Sequence, residues 1–82
     1  MVSKSIIDYI ERMRRLYQLI RLEKTGTSSD LAKKMHVTSR TIHNYMNELR
    51  SLGAVIIFDN TRNTYRFDND FILHATFEVE FQ

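Results

Sequence analysis

Between residues 5 and 22 the apolar side chains Ile6, Ile10, Met13, Tyr17 and Ile20 recur at steps of three and four, the spacing of one face of an α-helix. Leu16 and Leu19 widen that stripe. The pattern predicts a first helix from Ser5 to about Leu22, started by the Ser5 hydroxyl with Asp8 three residues on. Gly26 is its expected stop, because glycine accepts positive φ cheaply. Thr27, Ser28 and Ser29 then offer caps for a short second helix through about Met35, with Asp30 in its first turn and Leu31, Ala32 and Met35 turned inward. A break at His36-Val37 precedes Thr38, a good N-cap, and a third helix carried by Ile42, Met46, Leu49 and Leu52 and closed by Gly53.

Past Gly53 the period changes. Ala54 to Phe58 is β-branched and aromatic, Asp59 to Asn63 is polar and turn-forming, and Thr64-Tyr65-Arg66-Phe67 alternates, which predicts a hairpin. Farther on, Phe77, Val79 and Phe81 alternate with Glu78 and Glu80 as in a strand with one apolar and one acidic face. The stretch from Phe71 to Ala75 fits either the start of that strand or a short helical turn. The expected fold class is α+β: three helices, a β-hairpin and a C-terminal strand.

A length of 82 residues holds one domain, and 43% apolar with 27% charged residues is an ordinary globular composition. The absence of cysteine excludes a disulfide framework, a thiolate metal site and a cysteine nucleophile. The longest apolar run, Ala54 to Phe58, is far below the roughly 18 residues of a membrane span, and Met1-Val2-Ser3-Lys4 does not open an apolar export signal. A cytoplasmic, membrane-free protein is expected. Charge is unevenly placed. All 12 basic residues and six of the acids lie in residues 1–66, a formal +6, whereas residues 67–82 carry −4. This divides the chain into a basic body, residues 1–67, and an acidic extension, residues 68–82, suited to completing a sheet or to dimerisation. A basic body favours a polyanionic partner.

Helix, short helix, tight turn, helix, glycine, hairpin is the order of a winged helix-turn-helix, whose third helix enters the DNA major groove while the hairpin meets the backbone beside it. The run from Gly26 to Gly53, with Leu31, Ala32, Val37, Arg40, Thr41, Ile42, Leu49, Leu52 and Gly53 at matching positions, resembles the N-terminal winged helix-turn-helix of bacterial DeoR-type and WYL-domain transcriptional regulators. Thr38 stands where that family often has serine. With the first helix and hairpin the resemblance covers about three-quarters of the chain. It implies a sequence-specific double-stranded DNA-binding regulator, with a recognition helix at about 39–52 and a wing at about 55–67. Such regulators continue into an effector-binding domain; as this chain ends at Gln82, control is expected from abundance, dimerisation or a partner protein.

The residues support that reading on their own terms. With Ile42 at zero and ~100° per residue, Met46, Leu49, Tyr45 and Leu52 share its side, and Arg40, Asn44, Asn47 and Ser51 fall opposite. His43 and Arg50 lie on one flank and Glu48 on the other. Arg40 can fork onto guanine and Asn44 or Asn47 onto adenine, so Arg40, His43, Asn44 and Asn47 are the candidate base readers. Arg50 lies too far along the helix to be one. Lys33, Lys34, Ser39, Thr41 and Arg62 are the candidates for backbone contact. Phe77, Val79 and Phe81 are the candidates for a homodimer or for a protein partner of the acidic segment. His36, His43 and His74 fall on three separate elements without metal-ligand spacing, and no phosphate-cradling loop or nucleophile elbow is present. No metal, no cofactor and no enzymatic activity are expected. The alternative reading is a winged-helix protein-interaction or scaffold module that does not bind DNA.

Overall fold

The computed structural model describes residues 4–73. Three helices, α1 (Lys4–Arg21), α2 (Ser28–Met35) and α3 (Ser39–Ser51), precede two antiparallel strands, β1 (Ile56–Asp59) and β2 (Thr64–Phe67). This is the expected α+β winged helix-turn-helix. The strand expected through Phe77, Val79 and Phe81 lies outside the described residues.

Inward stripes of the three helices meet in one core. Met13, Leu16 and Ile20 of α1 pack with Leu31, Ala32 and Met35 of α2 and with Ile42, Tyr45, Met46 and Leu49 of α3. Ala54, Ile56 and Phe71 complete it, and Val37 closes the turn between α2 and α3 from a half-buried position. Two ends of the predicted stripes fall outside this core. The first turns of α1 run past it, leaving Ile6 50% exposed, with Tyr9 edge-on to Tyr45 at 5.7 Å. Leu52 is 63% exposed because it caps α3 after the last buried turn, and Ala54 takes the inward place instead.

Helix boundaries follow from hydrogen bonding more than from glycine. Ser5 lies inside the described span of α1, which opens at Lys4. At the other end Glu23, with φ 54°, ends α1: its N–H and that of Lys24 return to the carbonyls of Ile20 and Leu19. The same closure recurs at His36 (φ 57°) after α2 and at Gly53 (φ 111°) after α3. Satisfying two orphan carbonyls offsets the strain of a left-handed residue, so only one of the three terminators is glycine. Gly26 (φ 68°) has another role, since a Cβ there would lie 2.7 Å from Asp30 Oδ2. That carboxylate is the far half of a capping box: the Thr27 hydroxyl accepts from Asp30 N at 3.2 Å while Thr27 N donates to Asp30 Oδ2 at 3.0 Å. These bonds stabilise the charged form, holding the Asp30 carboxyl below its ordinary pKa.

The hairpin is sewn to the helices by two buried hydroxyls. Thr25, between α1 and α2, and Thr64, opening β2, are 0% and 1% exposed, with their oxygens 3.0 Å apart. Thr25 N donates to Thr64 Oγ at 3.1 Å and Tyr65 N to Thr25 Oγ at 2.8 Å. Below them Tyr17 of α1 packs against Phe67 and Phe71, with ring centroids 5.4 and 6.1 Å away. Asn69 clamps the link between α3 and β1, accepting from Val55 N at 3.1 Å and donating to the Gly53 carbonyl at 2.9 Å. Together these contacts set the hairpin's position relative to α3.

Candidate nucleic-acid interface

The turn before α3 fixes where its first residues point. Thr38 is extended (φ −87°, ψ 160°), and its hydroxyl accepts from Thr41 N at 3.1 Å, leaving the remaining first-turn amides and Arg40 at the free end of the helix. Burial of Ile42, Tyr45, Met46 and Leu49 then turns the opposite side outward. Arg40, Asn44 and Asn47 are exposed on it, and His43 is exposed on its flank. Glu48, the one carboxylate of α3, is exposed on the other flank, and after burial its charge helps raise the Tyr9 pKa.

The expected backbone-contacting residues are placed less uniformly. Lys33 is exposed, but the Lys34 ammonium donates to the Lys24 carbonyl at 2.7 Å and so ties α2 to the preceding loop. Ser39 and Thr41 are half-buried, and the Thr41 hydroxyl lies 3.0 Å from that of Thr38 within the cap. Arg62 does project from the hairpin tip, where Asp59 Oδ1 accepts from Thr61 N and Arg62 N to shape the turn. Its guanidinium, however, lies 3.3 Å from both carboxylate oxygens of Glu23. A phosphate has to compete with that acid. The pair is 66% and 33% exposed, and such surface pairs contribute only ~0–1 kcal/mol, so the competition is mild.

Arg50, set aside in the sequence as too far along the helix, is built into the site. Its Nη1 donates to Asn47 Oδ1 at 3.1 Å and its Nη2 to the Ile56 carbonyl at 3.2 Å, bridging α3 to the first residue of β1. The i,i+3 spacing of Asn47 and Arg50 on a predicted helix was the one available signal; the reach to Ile56 had none. Arg66 of the hairpin is engaged with Asp59 and Asp68 at 3.6 and 3.1 Å. An open groove of about 500 Å³ is lined by Arg12, Arg14, Arg15 and Lys34 together with Glu11, which lies 3.5 Å from Arg14, and with His36. Among the described residues no three His, Asp or Glu side chains converge as a metal site would require.

Residues 12–66 match the HTH domain family. The chain belongs to that family. The match spans α1 from Arg12 through the hairpin, so the HTH domain includes both the outward face of α3 and the wing beside it. The family is a DNA-binding, non-enzymatic kind. Neither the curated proteins nor the solved structures give a match. No helix among the described residues of this HTH domain is long and apolar enough to cross a membrane.

Proposed function

We propose that this HTH domain is a sequence-specific double-stranded DNA-binding transcriptional regulator of the DeoR-type or WYL-domain kind, working in the cytoplasm. In this reading α3 enters the major groove, with Arg40, His43 and Asn44 meeting base edges first and Asn47 deeper along the helix. Lys33, Ser39, Thr41 and Arg62 contact phosphates, as does Lys34 once released from the Lys24 carbonyl. The observation that carries the proposal is the side of α3 away from Ile42 and Met46: Arg40, Asn44 and Asn47 exposed with His43 on its flank, all able to read bases, and the helix's one carboxylate, Glu48, on the opposite flank. A two-fold dimer would place two such helices ~34–36 Å apart on a palindromic site, with the acidic segment 68–82 and its Phe77, Val79 and Phe81 as pairing surface or protein contact.

Selection of bound sites from random duplexes at stated salt tests this reading. A preferred sequence is expected, with log affinity falling against log[salt] at about −0.9 per phosphate contacted. Arg40→Ala should weaken the preferred duplex while leaving the non-specific one nearly unchanged. A shallow salt dependence with no preferred sequence would instead favour a protein-interaction module. Sedimentation of the protein alone and on a two-site duplex reads the dimer directly.

A further inference from the structure

The bridge made by Arg50 changes what Asn47 can read. A free carboxamide pairs with adenine by accepting from N6 and donating to N7. In this protein the acceptor half is already engaged: Arg50 Nη1 holds Asn47 Oδ1 at 3.1 Å. A guanidinium has only donors, so the orientation of the amide is fixed, with oxygen toward Arg50 and Nδ2 away from it. Arg50 is itself held, because its Nη2 is bonded to the carbonyl of Ile56, a buried residue paired with Phe67 in the hairpin.

The edge that results is rich in donors: the two Nδ2 hydrogens of Asn47 and the unengaged N–H groups of Arg50, with a positive charge between them and one of the two Asn47 Oδ1 lone pairs taken. Adenine opposes that edge less well, since its N6 amino group must approach the guanidinium to reach the one lone pair left on Asn47 Oδ1. Cytosine offers only a donor in the major groove. Guanine, with acceptors at both N7 and O6, is complementary.

We propose that Asn47 and Arg50 act as one donor-rich, positively charged unit that selects guanine, with Arg50 the specificity-determining residue that turns Asn47 away from adenine. This rests on α3 being the recognition helix. It also assigns Arg50 two tasks through one side chain, since the same guanidinium that orients Asn47 sets the wing against α3 through Ile56.

The experiment is a complete base-preference profile, from random-duplex selection followed by titration of single-base variants, for the wild type, Arg50→Ala, Arg50→Lys and Asn47→Ala. At one position of the selected site the wild type should prefer guanine. Asn47→Ala should weaken that preference, and Arg50→Ala should convert it to adenine, with a swing of roughly ten- to a hundred-fold in relative affinity. Arg50→Lys, which replaces two nitrogens at fixed spacing by one point charge, should give an intermediate profile. If Arg50→Ala weakens every duplex equally and leaves the profile unchanged, Arg50 serves the wing alone and the proposal is wrong. If the wild type selects no sequence at all, the failure belongs to the DNA-reading proposal instead.

Discussion

Replacing Thr64 with valine keeps the shape of a fully buried side chain and deletes one oxygen. That oxygen accepts the Thr25 N–H at 3.1 Å and lies 3.0 Å from the Thr25 hydroxyl. The Thr25 hydroxyl retains its contacts with Tyr65 N and the Gly26 carbonyl, so the losses are one buried amide left without an acceptor and the bond that Thr64 Oγ donates to the Tyr65 carbonyl at 3.0 Å. Such an orphan costs ~1–3 kcal/mol. For a domain of this size each kcal/mol lowers Tm by about 4–8 °C, so a 2 kcal/mol loss corresponds to about 8–16 °C. Urea melts of wild type, Thr64→Val and Thr64→Ser separate the hydroxyl from the methyl. Serine keeps the oxygen and removes one carbon, for which ~1 kcal/mol is expected. Adding Thr25→Val completes a double-mutant cycle, in which the double variant should lose less than the sum of the singles, by roughly 0.5–3 kcal/mol. A Thr64→Val protein as stable as wild type, or one no worse than Thr64→Ser, would refute the idea that this pair fastens the hairpin.

Three further outcomes are expected. Ile42→Ala, at a position with 0% exposure in the middle of α3, should cost roughly 2–5 kcal/mol in denaturant melts as a core truncation. Asp30→Asn should lower stability at neutral pH and matter less in acid. Because the folded pKa of Asp30 is depressed by the Thr27 donors, its contribution is complete above the ordinary carboxylate value and fades as pH falls through the lower folded value; melts at pH 7 and pH 3 read the difference. Glu23→Gln removes the acid beside Arg62, so titrations should show tighter binding to specific and non-specific duplexes alike, by a few-fold at low salt; unchanged affinity for both would mean that Arg62 does not meet the backbone.

The elements of this protein are legible in its amino-acid order because each is specified locally. The 3.6-residue recurrence of Met13, Leu16 and Ile20, or of Ile42, Met46 and Leu49, decides which face turns inward, and Thr27 with Asp30 and Thr38 with Thr41 cap helices across three residues. The outward face of α3 follows from its buried face by rotation about one axis, so the exposure of Arg40, His43, Asn44 and Asn47 was available without a fold. What tertiary structure decided are the contacts between residues distant in sequence, on which no local period bears. Thr25 and Thr64 are 39 positions apart and read as ordinary loop and strand threonines until burial makes each the other's partner. Glu23 and Arg62 are equally distant, and their approach depends on where the hairpin comes to rest. Glu23 and His36 end their helices without glycine because the returning hydrogen bonds and the chain packed beyond them offset the strain. For the same reason the role of Arg50 emerged only in three dimensions, as its bond to Ile56 exists only once Gly53 and Asn69 have turned β1 back beside α3.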